Sequence, residues 1–177
     1  MPEITISPSD YINRIGRQAR EASRTMARVS TSAKNAVLER IAELLLEQET
    51  NIRAANEADL ESARAEGLGE AFLDRLTITA AGLRAMAEGC RQIAALEDPV
   101  GTISDLAPRP SGIEVGRMRV PLGVLAMIYE SRPNVTIDAA ALALKSGNAI
   151  ILRGGHEALR SNTCLLYTSP SPRDPKT

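Results

Sequence analysis

Residues 124–152 read VLAMIYESRPNVTIDAAALALKSGNAIIL, and the change of apolar period along this stretch decides the fold. Residues 124–129 form a short apolar run bounded by Pro121-Leu122-Gly123 before it and Ser131-Arg132-Pro133 after it. Such a run, without polar alternation, is the pattern of a strand covered on both faces in a parallel sheet. Asn134 stands at the cap position of a helical stretch over 135–145, with Ile137, Ala140, Ala141 and Leu144 on one side, and Ser146-Gly147-Asn148 ends it. Ala149-Ile150-Ile151-Leu152 is a second buried strand. Strand, helix and strand with tight links make a βαβ unit, parallel and right-handed by steric preference.

Upstream, residues 114–120 alternate as a strand does, and Pro99, Gly101, Pro108, Pro110 and Gly112 punctuate the chain before them. The first hundred residues read as helices. In 8–29 one stripe holds Tyr11, Ile15, Ala19, Ala22, Met26 and Val29. Thr31 is placed to cap a second helix, with Val37, Ile41, Leu44 and Leu45 inward. A third helix covers 50–65 and stops at Gly67, and Thr79 caps a fourth with Leu83, Met86, Cys90 and Ile93 on one face. That spacing makes Cys90 a core thiol rather than a nucleophile. The fold class is α/β, with a helical amino-terminal segment over 1–100 and the start of a Rossmann-like domain over 101–163.

Composition narrows the function. The 177 residues are 44% hydrophobic and 24% charged, the balance of a globular domain or a piece of one. The net charge is −1, with Lys and Arg interspersed among Glu and Asp, and aromatic residues make up 2%. No basic patch or stacking platform for nucleic acid is present, and no stretch reaches the roughly 18 apolar residues of a membrane span. Met1-Pro2-Glu3-Ile4 has neither a positive region nor an apolar run, so no signal peptide is expected. Cys90, Cys164 and the single His156 are too few for a disulfide framework or a zinc site, and the expected compartment is the cytoplasm.

Ligands of open α/β sheets bind beyond the carboxyl ends of the strands. The first such end, residues 129–134, offers free amides at a helix start beside Arg132, a corner able to receive an anion. Asn134 there is either a helix cap or a donor to a developing oxyanion, the latter worth roughly 2.7–4 kcal/mol in a formed site. The second end, Leu152-Arg153-Gly154-Gly155-His156-Glu157, is either a plain glycine turn or a phosphate-approach loop with Arg153 as its charge. No GxGxxG or GxxxxGK[ST] pattern occurs in the chain.

The stretch 119–124, RVPLGV, followed by IYESRPNVT at 128–136, DAAA at 138–141, LKSGNA at 144–149 and LRGG at 152–155, closely resembles the gamma-glutamyl phosphate reductases (glutamate-5-semialdehyde dehydrogenases) of the aldehyde dehydrogenase superfamily. The likeness covers residues 7–162, including 33–43 and 54–59. It implies NADPH-dependent reduction of L-glutamate 5-phosphate to L-glutamate 5-semialdehyde, the second step of proline synthesis from glutamate. A cysteine thiolate displaces phosphate, and hydride then reduces the thioester. The resemblance makes Asn134 the oxyanion donor and places Arg153 against the cofactor ribose, where a guanidinium suits the 2′-phosphate of NADP(H). Gly154 and Gly155 replace a superfamily Pro-Ser, and Glu157, or His156 beside it, aligns with the ribose-binding carboxylate. Arg132 is a candidate ligand for the substrate anion from the corner alone. The resemblance also implies a homo-oligomer for the full-length enzyme. Its nucleophilic cysteine has no counterpart in these residues, so the chain alone is expected to be inactive. The readings to be separated from this one are another aldehyde dehydrogenase and a non-catalytic binding module docking through the helical front.

After Asn162 the likeness ends. Cys164-Leu165-Leu166-Tyr167-Thr168-Ser169-Pro170-Ser171-Pro172-Arg173-Asp174 reads like one frame of a transposase-type sequencing-library adaptor, and 164–177 is expected to be a non-native tail, the alternative being a genuine disordered one; its prolines interrupt any helix. A βαβ unit alone leaves sheet faces uncovered, and the expected consequence is exposed apolar surface and an insoluble or molten chain.

Overall fold

The computed structural model describes residues 7–168; the first residues, read above as lacking a leader, and 169–177 lie outside them. Helices α1 (Pro8–Met26), α2 (Thr31–Glu47), α3 (Glu49–Ala65), α4 (Glu70–Leu76) and α5 (Ala80–Ala95) precede strands β1 (Ile103–Pro108), β2 (Glu114–Met118) and β3 (Val124–Ile128). Then come α6 (Asn134–Lys145), β4 (Ala149–Arg153), a 3-10 turn (His156–Ala158) and α7 (Leu159–Thr168). The α/β class read from the sequence is the class observed.

Helix boundaries follow from local chemistry. The second helix is capped by Ser30, not Thr31: Ser30 Oγ accepts from Ala33 N at 3.3 Å, while Thr31 Oγ1 donates to Asp98 at 2.8 Å. Thr79 caps α5 as expected, accepting from Gly82 N at 2.9 Å. Gly67 closes α3 with φ +75, a conformation only glycine takes cheaply. The short α4 has no stripe long enough to stand out in the sequence.

The main core joins Leu38, Ile41, Leu45, Ile52, Leu83, Met86 and Cys90 to Ile137 and Ala141 of α6 and Leu165 of α7. One core thus runs across residue 100, which marks a change of secondary structure. Its polar seams are satisfied. The Lys34 ammonium, with a side chain 1% exposed, pairs with Asp98 at 2.9 Å and reaches the Lys145 carbonyl at 3.4 Å. The buried Lys145 ammonium donates to the Ala94 carbonyl at the end of α5 and to Asn35 Oδ1, both at 2.8 Å. Asp59 of α3 caps α7, accepting from Ser161 N at 2.8 Å and Ser161 Oγ at 2.7 Å.

The expected βαβ unit is present. Strands β3 and β4 pair in parallel with Val124 opposite Ala149 and Ile128 opposite Arg153. The end of α6 is a Schellman turn: Asn148 N donates to Ala143 O at 2.8 Å, Gly147 N donates to Leu144 O at 3.1 Å, and Gly147 has φ +71. Asn148 Oδ1 then accepts from Gly123 N at 2.8 Å, tying the starts of the two strands together.

Four expectations require correction. Strand β3 is exposed along most of its length, Ile128 being 74% exposed, because among the described residues only β4 pairs with it. The alternating stretch ends at Met118 and pairs antiparallel with β1, which the Pro and Gly residues of that region concealed, and the hairpin is solvent-facing. In α1 the amino-terminal half of the stripe is open, Tyr11 being exposed, and Ala19, Ser23 and Met26 are the buried positions of the helix. The helix expected to fail after Thr163 runs to Thr168, since the first proline of the tail is Pro170, and Leu165 is fully buried. No helix among the described residues is long and apolar enough to cross a membrane.

Candidate functional site

Parallel pairing brings the carboxyl ends of β3 and β4 side by side, and Tyr129 N donates to Arg153 O at 3.1 Å beyond the last paired residues. Both sequence-derived corners therefore share one end of the pair. The link from β3 to α6 is held from across that end. Ser131 is buried at φ +40, and its N–H and hydroxyl donate to Glu157 Oε1 at 2.9 and 3.2 Å. Burial raises the Glu157 carboxyl. Backbone N–H groups of Glu157 and Ser131, the Ser131 hydroxyl and the neighbouring His156 outweigh it and hold the group below its ordinary value.

Two of the amides expected to receive an anion at the start of α6 are engaged. Val135 N donates to Arg132 O and Thr136 N to Pro133 O, both at 3.0 Å, because Pro133 is already helical and closes a tight first turn. Asn134 is consequently the first helical residue and caps nothing. Its Nδ2 donates to Asp138 Oδ2 at 3.2 Å, one turn on, and leaves the second amide hydrogen on an exposed edge. Asp138 is a site residue that the sequence reading passed over; burial raises its carboxyl above the ordinary value, against the Asn134 hydrogen bond. The signal that could have found it is its position four after Asn134 on one helix face.

Arg132 and Arg153 are exposed, and neither guanidinium has a hydrogen bond or ion pair among the described residues. Side chains of the chain itself approach Gly154 and Gly155 closely. A Cβ on Gly154 would strike the Asn162 amide and meet the Tyr129 ring at 3.3 Å, and one on Gly155 would strike the Glu157 carboxylate. Asn162 in turn accepts from Thr136 Oγ1 at 3.1 Å, and the Thr136 hydroxyl lies 2.6 Å from Tyr129 Oη. His156 is a surface residue, its Nδ1 3.4 Å from Glu157 Oε2. Cys90 is buried, and burial, reinforced by the Asp138 charge, pushes its thiol up to about 11. Burial also raises Cys164, which packs against the core. Neither is poised as a thiolate.

A cleft of about 400 Å³ opens beside Asn134, walled by Asp138 of α6, by Pro133 just before that helix, and by Arg75, Thr77 and Met86 from the α4–α5 side.

The sequence pattern of the aldehyde dehydrogenase family matches residues 3–167. The fold is similar to a gamma-glutamyl phosphate reductase from Thermotoga maritima, at 40% identity and TM-score 0.85, over 89% of this chain and 38% of that one. A gamma-glutamyl phosphate reductase from Saccharomyces cerevisiae is 32% identical at TM-score 0.85, over 93% of this chain and 41% of its own. A probable aldehyde dehydrogenase from Listeria monocytogenes, 15% identical at TM-score 0.63 over 90% of this chain and 33% of that one, shares the fold. The chain spans about two fifths of the length of the two reductases.

Proposed function

Because the chain belongs to the aldehyde dehydrogenase family, we propose that it is part of an enzyme that reduces L-glutamate 5-phosphate with NADPH to L-glutamate 5-semialdehyde and phosphate, in proline synthesis from glutamate. The observation that carries this reading is the strand-end corner at 129–134, with Arg132 and Asn134 exposed, in a chain 40% identical to a gamma-glutamyl phosphate reductase. In this reading Asn134 gives its outward amide hydrogen to the oxyanion that forms at C5, while Asp138 fixes the amide's orientation. Arg153, exposed beyond β4, fits the 2′-phosphate of NADP(H) as a planar fork with no competing partner. Glu157 fits the cofactor ribose less directly, since one carboxylate oxygen already holds Ser131; its first task is to fix the corner. The cofactor, when bound, supplies the hydride. With Cys90 and Cys164 both protonated, the nucleophilic thiolate comes from outside these residues, in a longer chain that assembles as a homo-oligomer in the cytoplasm.

The test is run in the reverse direction with the complete reading frame that carries this sequence. L-glutamate 5-semialdehyde, NADP and inorganic phosphate are expected to yield NADPH only when phosphate is present. Equal NADPH formation without phosphate, or a requirement for coenzyme A instead, would place the enzyme elsewhere in the family.

A further inference from the structure

The cleft beside Asn134 holds two charges that neutralise nothing within the described residues. Asp138 accepts from Asn134 and has no cationic partner there. Arg75, at the end of α4, lies over the Phe72 ring at 5.9 Å and has no carboxylate partner there. The two reach the same cleft from different elements. One anion and one cation facing one cavity match a zwitterion, and an α-amino-acid head is one. We propose that this cleft receives the head of the substrate, the Asp138 carboxylate taking the α-ammonium and the Arg75 guanidinium facing the α-carboxylate.

The spacing supports this assignment, which rests on the function proposed above. Asn134 and Asp138 stand four residues apart on one face of α6, about 6 Å along its axis, with Asn134 Nδ2 3.2 Å from Asp138 Oδ2. In an extended glutamyl chain the C5 oxygen and the α-nitrogen are separated by about 6 Å, given carbon–carbon bonds near 1.5 Å. That reach lets a substrate set its C5 oxygen against the Asn134 amide and its ammonium against Asp138 Oδ1, the oxygen not taken by Asn134. An ammonium beside Asp138 offsets the partial desolvation that raises its carboxyl, so the cleft gains more from an amino-bearing aldehyde than from one without the group. Asp138 is a specificity-determining residue in this account and also positions Asn134.

These two roles separate on a pair of substrates. In the complete enzyme, kcat/KM is measured for L-glutamate 5-semialdehyde and for 5-oxopentanoate, which lacks only the amino group. The wild type is expected to favour the amino-bearing substrate, and Asp138→Asn is expected to narrow that ratio about 10- to 100-fold, the worth of a charge-assisted hydrogen bond. Asp138→Ala, a smaller side chain on an exposed helical position, is expected to narrow it equally. If both variants slow the two substrates by the same factor, Asp138 only orients Asn134 and the head-group assignment is overturned. If the wild type fails to turn over either aldehyde with phosphate and NADP, the proposed function falls, and this assignment with it.

Discussion

Asp98→Asn removes the carboxylate facing the Lys34 ammonium while keeping its shape, its acceptor for Val100 N and its place beside Thr31. Lys34 would then be a buried cation with only the Lys145 carbonyl and an amide oxygen as acceptors. Breaking a buried pair from one side costs about 3–5 kcal/mol, and the two remaining acceptors put this case near the lower end. Hydrogen exchange of the α2, α5 and α6 amides measures it, because it reads the opening of this core whether or not the exposed strands associate. At about 3 kcal/mol the amides should exchange roughly 100-fold faster. Lys34→Met combined with Asp98→Asn should recover most of the loss, since no charge is then left buried. Burial raises the Asp98 carboxyl, but Lys34, the Val100 amide and the Thr31 hydroxyl hold it below its ordinary value. Its contribution is therefore complete above about pH 4 and is lost as the pH falls through the lowered value, where wild type and Asp98→Asn converge. Exchange in Asp98→Asn within threefold of wild type at neutral pH, or a double variant as impaired as the sum of the singles, would refute the reasoning.

Asn134→Ala in the complete enzyme should lower kcat about 10²- to 10³-fold with unchanged exchange protection in α6, measured by phosphate-dependent NADPH formation. Arg153→Ser should raise KM for NADP while leaving that for NAD within a fewfold, closing the preference between the two cofactors. Gly154→Ala should destabilise the β4–α7 link by displacing Asn162, seen as faster exchange at the start of α7. Glu157→Gln should reduce the loss of stability on acidification, because a carboxyl held low contributes above its unfolded value and loses that contribution as the pH falls through the folded one.

The parts of the fold legible in the sequence were those written in short-range chemistry. Ser146-Gly147-Asn148 announced a helix end because a left-handed glycine closes it, and Cys90 was readable as core because the stripe around it keeps a helical period. What escaped the sequence depends on partners far along the chain. Lys34 looks like any lysine on a polar face until Asp98, 64 residues away, is folded against it. Strand β3 has the composition of a covered strand but lacks a second neighbour among the described residues. At the site, Asn134, Arg132 and Arg153 were identifiable as residue types at strand ends. The Ser131–Glu157 link spans 26 residues and was not foreseeable, nor was the closure of the α6 amides by a helical Pro133. Gly154 and Gly155 read as room for a phosphate, and the fold adds that a Cβ at either would meet the Asn162 or Glu157 side chain.

The most direct test of the central claim is the stoichiometry of the forward reaction. The complete enzyme is supplied with NADPH and L-glutamate 5-phosphate generated in place by a glutamate-phosphorylating kinase, and phosphate release is followed beside NADPH oxidation after correction for spontaneous hydrolysis. One phosphate released per NADPH oxidised, with both rates falling together in Asn134→Ala, is the predicted result. NADPH oxidation without matching phosphate release, or phosphate release without NADPH oxidation, would contradict the account.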